Sequence, residues 1–174
     1  MPNWCNNSVT ISGPTETIRQ LWDDAQTAHT DKDGKPVFGL LEAMAPIGNW
    51  DYGTALETWG TKWDISDEGL EFFDNGDGTA CISGWFDSAW SPPIGAYEKF
   101  LDDMDNCSLE ASYYEPGMDF AGFYTNGEDE YCDNLRDEYD AGDEASDLYK
   151  RLDEEWALSE QFEQYDEDFE MEDE

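Results

Sequence analysis

An α+β fold built on an antiparallel sheet is what the sequence predicts, and three observations carry that expectation. Short stretches alternating apolar and polar residues recur along the first 125 positions, and Asp74-Asn75-Gly76-Asp77-Gly78 joins two of them as a hairpin turn. Between such stretches lie two segments, near 15–28 and 94–104, with apolar residues at helical spacing. Aromatic residues make up 15% of the 174-residue chain, eight Trp among them, so a core is feasible despite a formal charge of −36.

Taken in order, Val9 and Ile11 alternate with polar neighbours and close at Ser12-Gly13-Pro14, which reads as a strand. Thr15 follows as a helix N-cap with Glu16 in the first turn. Ile18, Leu21, Trp22 and Ala25 then define a helix over 15–28. The single histidine, His29, falls at its polar end, where it reads as a solvated C-terminal cap. Residues 30–36 are turn-rich. Phe38, Leu40, Leu41, Met44 and Ile47 suggest a short helix or compact loop, broken by Pro46 and Gly48. Strands are expected at 63–66, 70–73 and 79–86. After Ser91-Pro92-Pro93, Ile94, Tyr97, Phe100, Leu101 and Met104 mark a second helix. A strand at 109–114 and a turn at Pro116-Gly117 lead to a further hairpin arm at 120–124. Strand, helix, strand, strand, helix, strand is the split βαβ, or ferredoxin-like, order: an antiparallel sheet with helices on one face, here with an insertion near 30–58.

At Asn126 the composition shifts. Residues 126–174 hold 22 acids and three bases, net −19, against 22 acids and five bases, net −17, over 1–125. The expectation is a ferredoxin-like domain over 1–125 and an acidic, largely helical extension over 126–174. Ala145, Leu148, Tyr149, Leu152 and Trp156 recur at steps of three or four, predicting an amphipathic helix over 143–164. Leu158, Phe162, Tyr165 and Phe169 prolong its stripe, which would pack on the body or, in a homodimer, on a second copy, or else form a mobile segment that orders on its partner. Lys150 and Arg151 would pair with Asp147 or Glu154, and residues 166–174 would fray.

Several function classes find no support. Cys5, Cys81, Cys107 and Cys132 are scattered without a C-x-x-C, so they read as reduced, small apolar residues. No nucleotide-binding or zinc-protease motif occurs, and one histidine leaves little for nucleophilic catalysis. Asp31, Asp33 and Glu42 fall at positions one, three and twelve of a calcium loop. Lys35 at position five and Pro36 in place of the position-six glycine spoil it. The reading is therefore a non-enzyme with no catalytic residue, metal or cofactor. No run approaches the roughly 18 apolar residues of a membrane span, and the N-terminus lacks secretory features. The host cytoplasm is the expected compartment.

Charge supplies the positive reading. At about 1.7 Å of duplex per negative charge, the net charge matches the phosphates on roughly 60 Å of DNA. Asp133, Asp137, Asp140, Asp143, Glu144, Asp147, Glu154 and Glu155 would form a row on a helix, with neighbours about 5–6 Å apart. Asp102, Asp103 and Asp105 on the second helix, Asp23 and Asp24 on the first, and strand positions Asp64, Glu71, Glu110 and Glu115 would extend it. Such carboxylates pair with Arg and Lys in the basic groove of a host DNA- or RNA-binding protein. They repel nucleic acid and anionic membranes alike.

The aromatic motifs add a resemblance. Met1-Pro2-Asn3-Trp4-Cys5-Asn6-Asn7, Trp59-Gly60-Thr61-Lys62-Trp63-Asp64, Trp85-Phe86 with Ala89-Trp90-Ser91-Pro92-Pro93, and Tyr113-Tyr114-Glu115-Pro116-Gly117-Met118-Asp119-Phe120-Ala121-Gly122 stand in this order. Together they resemble the YubB-like family of phage and plasmid proteins with a ferredoxin-like domain. The resemblance covers about residues 1–125, implies a mobile-element origin and supplies no catalytic residue. Trp4, Trp63, Trp85, Trp90 and Phe120 read as core and as braces for the insertion. The expected function is a phage-encoded inhibitor of host defence, of anti-CRISPR or anti-restriction type, acting as a nucleic-acid mimic. The alternatives are an acidic adaptor that binds a partner through its aromatic face, and a divalent-metal enzyme.

Overall fold

The computed structural model describes residues 3–172. At its centre is β1 (Trp4–Pro14), whose alternation sends Cys5, Asn7, Val9 and Ile11 to one face of the sheet and leaves Trp4, Asn6, Ser8 and Thr10 on the other. The helix α1 (Thr15–Thr27) follows directly, burying Ile18, Leu21 and Ala25. Pro14, not Thr15, is its N-cap, and the Thr15 hydroxyl is buried without a partner.

A two-residue pairing of β2 (His29–Thr30) with β3 (Pro36–Val37) opens the insertion, which continues through α2 (Leu40–Met44) and α3 (Tyr52–Trp59). α3 starts where Asp51 accepts the Thr54 amide at 2.9 Å and stops at Gly60, whose φ of 83° closes the helix. The sheet resumes with β4 (Leu70–Asp74) and β5 (Thr79–Ala89), then α4 (Ile94–Asp103), β6 (Ser108–Glu115), β7 (Phe120–Thr125) and β8 (Glu128–Cys132). These strands and β1 form one six-stranded sheet in the order β4-β5-β1-β6-β7-β8, each pair antiparallel.

The boundary expected at 125/126 falls in the tight turn between β7 and β8, so the acidic extension begins by contributing an edge strand to the sheet. Its remainder is not one helix over 143–164. It divides into α5 (Leu135–Ala141), a 3-10 turn at Gly142–Glu144, α6 (Asp147–Trp156) and α7 (Leu158–Glu172). Ser146 caps α6 by accepting the Tyr149 amide, and Ala157, at φ 51°, turns the chain before α7. α7 runs helically through 166–172, where fraying was expected; the last two residues lie outside the described ones.

Two cores lie on opposite faces. On the first, Val9, Ile11, Ile82, Leu109 and Tyr124 meet Ile18 and Leu21 of α1, Leu40 and Leu41 of α2, Trp59 of α3 and Tyr97 and Phe100 of α4. On the second, Tyr114, Ala121 and Cys132 meet Leu135, Ala145, Tyr149, Leu152 and Leu158. The helical stripe of the extension therefore docks on the body. The helices ahead of residue 126 cover one face, whereas those of the extension cover only the β6–β8 part of the other.

Candidate functional site

The uncovered half of that second face is where three of the four sequence motifs converge. Trp4 and Asn6 project from the start of β1, Trp85 and Asp87 from the end of β5, and Trp63, Ser66 and Glu68 from the loop before β4. Trp156 closes the far side from the end of α6. Together they line an open groove of about 790 Å³. Trp4 and Trp63 meet with their rings tilted at 45° and centroids 6.2 Å apart, and Trp85 meets Trp156 edge-on at 5.6 Å.

These tryptophans are not core, as the sequence suggested. Trp4, Trp63, Trp85 and Trp90 are 46%, 38%, 54% and 36% exposed, whereas Trp59 is 1% exposed and donates its indole N–H to the Ala45 carbonyl. Phe120 is half-buried, between Tyr113 and Tyr131. The strand phase accounts for the outward tryptophans: with Val9 and Ile11 inward, even-numbered Trp4 faces out, and with Ile82 inward, odd-numbered Trp85 does.

The polar residues of the same motifs hold the groove wall. Asn7, fully buried, donates to the Cys5 carbonyl at 2.8 Å and to Ser88 Oγ at 2.9 Å. Ser88 donates to the Ser91 carbonyl at 2.7 Å, and Thr61 to the Ala89 carbonyl at 2.8 Å. In the fourth motif Glu115 accepts the Gly117 and Met118 amides at 2.8 and 2.6 Å, fixing the turn beside β1. Gly122 leaves room for Tyr113, since a Cβ there would stand 2.3 Å from the Tyr113 hydroxyl oxygen. That hydroxyl donates to Asp129 at 2.6 Å, and burial together with this bond pushes its pKa well up.

The loop carrying Trp63 was expected as a strand at 63–66, and it is none. Asp64 holds it down: Oδ1 accepts the Leu41 and Ile65 amides, and Oδ2 the Glu42 amide. His29 is no solvated cap either; its Nε2 lies 2.9 Å from Asp64 Oδ2. Asp64 is thus a bracket between the insertion and the groove, not part of an acidic row, and Glu115, 1% exposed, leaves that row as well.

All eleven carboxylates singled out as partner-binding are exposed: Asp102, Asp103, Asp105, Asp133, Asp137, Asp140, Asp143, Glu144, Asp147, Glu154 and Glu155. They do not form one row. Asp133 precedes α5, which carries Asp137 and Asp140; Asp143 and Glu144 lie in the 3-10 turn; Asp147, Glu154 and Glu155 ride α6. Asp102, Asp103 and Asp105 sit at the Ser108 end of β6, whereas α5 begins beyond β8 at the Glu115 end, about 24 Å away at ~3.4 Å per strand residue. Asp103 pairs with Lys99, Asp140 with Arg136, and Glu155 accepts from Ser112 at 2.9 Å. The other eight carboxylates have no side-chain ion pair among the described residues. Lys150 and Arg151 do not pair with Asp147 or Glu154. Lys150 donates to the Asp143 carbonyl at 3.1 Å, and Arg151 forks onto Glu130 of β8 at 3.1 and 2.8 Å.

Burial pushes the Cys5 thiol up to about 12, and Cys107 and Cys132 are raised by burial as well. Asp31 spends Oδ1 on the amides of Asp33 and Lys35, closing a turn in the would-be calcium loop. Among the described residues no three His, Cys, Asp or Glu side chains are arranged to hold a metal, and no helix is long and apolar enough to cross a membrane. Comparison with known proteins finds no matching family model, curated protein or solved structure.

Proposed function

We propose that the protein is a phage- or mobile-element-encoded inhibitor of a host defence system, acting as a nucleic-acid mimic that occupies the basic DNA- or RNA-binding groove of its target. The observation that carries this reading is a folded polyanion: eleven carboxylates from several elements, all exposed, around a body with two closed cores. Such a surface attracts a groove that evolved for phosphates, with association that is fast and salt-sensitive. The strand order β4-β5-β1-β6 with α1 and α4 on one face supports a ferredoxin-like split βαβ for the part ahead of β7. That agrees with the YubB-like resemblance from which the mobile-element origin comes. In this reading the protein needs no catalytic group and works in the host cytoplasm.

The exposed tryptophans favour a second element, taken from the adaptor reading: charge steers the partner, and the aromatic groove anchors it. Tryptophans in a part-enclosed groove are the usual carriers of binding energy at protein interfaces.

The test is capture of partners from host lysate on the tagged chain, washed at low and then high salt and challenged with duplex DNA. A nucleic-acid-binding complex displaced by salt or DNA is the expected result. Replacing Asp133, Asp137 and Asp143 by Asn and Glu144 by Gln should weaken that capture with the fold intact. Capture by this variant equal to the parent's, or a salt-resistant partner lacking a basic groove, would overturn charge mimicry.

A further inference from the structure

We infer that the groove framed by Trp4, Trp63, Trp85 and Trp156 receives an arginine side chain of the protein partner, stacked on the indoles and paired with Asp87. This rests on the proposed reading, because it names what a basic partner puts into the site.

The chain's own arginines show the chemistry. Arg19 lies 4.6 Å from the Phe72 ring centre and 3.2 Å from Asp74. Arg136 lies 5.2 and 5.4 Å from Tyr139 and Phe162 and 2.9 Å from Asp166. Arg151 lies 4.9 Å from Phe123 and forks onto Glu130. Each guanidinium meets an aromatic face and a carboxylate at once, the pair of contacts that suits its planar, weakly hydrated ion.

The groove offers the same pair of contacts. Trp85 and Trp4 supply faces over half and nearly half exposed. Asp87 accepts the Asn6 amide through Oδ1 at 2.7 Å, which fixes the carboxylate and leaves Oδ2 for a second donor. Glu68, exposed, stands on the same wall. Among the described residues no Lys or Arg of the chain lies over Trp4, Trp85 or Trp156. Lys62 does lie 4.4 Å from the Trp63 ring centre, while also spanning Trp90 and Tyr52, which are not groove residues. Trp63 therefore already carries a cation on its ring, and Trp4 and Trp85 are the indole faces left for a partner's guanidinium. A flat guanidinium stacks on an exposed indole face better than a compact ammonium does. A nucleobase would bring phosphates against a net charge of −36.

The groove's geometry depends on a backbone contact beneath Trp85. The Trp85 amide donates to the Gly69 carbonyl at 3.0 Å. A Cβ on Gly84 would stand 1.9 Å from the Gly69 oxygen, so the loop bearing Glu68 closes onto β5 only because position 84 is glycine. This contact holds the loop wall against the strand that presents Trp85 and Asp87.

The test titrates the full chain, uniformly labelled with nitrogen-15, with blocked Gly-Arg-Gly and Gly-Lys-Gly peptides at fixed ionic strength, following the indole N–H signals. Saturable shifts at Trp4, Trp63 and Trp85 are expected, with the lysine peptide about threefold weaker or more. Trp85→Ala and Asp87→Asn should each abolish or weaken them, and Trp85→Phe should restore part. Shifts confined to backbone amides beside surface carboxylates, equal affinity for both peptides, or larger indole shifts with a mononucleotide would overturn the inference. The lysate capture separates the two proposals. If Trp85→Ala is captured like the parent while the four-carboxylate variant is not, the arginine site fails and mimicry stands. If the four-carboxylate variant is captured like the parent while peptide shifts remain, mimicry fails and the site stands.

Discussion

The two faces of the sheet use the same residue types to opposite ends. On the α1–α4 face, Trp59, Tyr97 and Phe100 are sealed, and Trp59 satisfies its one polar group internally. On the other face, Trp4, Trp63 and Trp85 are left open beside Asp87. One face encloses its aromatics; the other leaves them wet at a cost in burial. The difference teaches that aromatic content alone does not report the core. The neighbours that satisfy or strand each ring do.

Substitutions can break that comparison. Trp59→Ala should be the most damaging, losing about 3–5 kcal/mol because it opens a cavity under α3, read from urea unfolding followed by circular dichroism. Leu152→Ala, in the smaller core beneath α6, should cost about 3 kcal/mol. If the extension is a separately dissociating layer, α5–α7 should then exchange amide hydrogens ahead of the main sheet. Trp85→Ala should cost within about 1 kcal/mol in the same assay, as an exposed side chain with one ring partner, while abolishing the arginine-peptide shifts. Equal destabilisation by Trp59→Ala and Trp85→Ala would erase the distinction between the faces.

The smallest effect concerns pH. Bonds to Thr54 lower the pKa of Asp51, bonds to Thr79 that of Asp77, and Arg151 that of Glu130. With folded values below unfolded ones, their stabilisation is present above the ordinary carboxylate range near pH 4 and is lost as pH falls through the folded values. Protonation also relieves self-repulsion, so the measurement belongs in about 1 M salt, where the screening length is only ~3 Å. There, the urea midpoint should fall modestly below about pH 4.

Much of the framework was legible in the sequence. The Val9–Ile11 alternation, the Ile18–Leu21–Ala25 spacing and the Asp74–Gly78 turn correspond to β1, α1 and the β4–β5 hairpin. The misreadings have separate physical causes. Ile65 looked like part of a strand because it alternates with polar neighbours, yet its neighbour Asp64 is claimed by the amides of Leu41 and Glu42. The extension read as one helix because its stripe runs on past Ala157, and a left-handed alanine carries no local signature. The groove was partly within reach. Extending the inward phase of Val9 and Ile82 to the ends of their strands places Trp4 and Trp85 outside, but the contact with Trp156 needs the fold.

The edges of the sheet have their own consequence. One edge is β8, where Glu128, Asp129 and Glu130 follow one another; the other is β4, with Glu71 and Asp74 and a half-exposed Phe73. Two copies meeting along β8 would set three acids against three acids, so that edge refuses a like neighbour. Pairing of like β8 edges is therefore disfavoured by charge, one of the devices by which an exposed strand is kept from templating a second sheet.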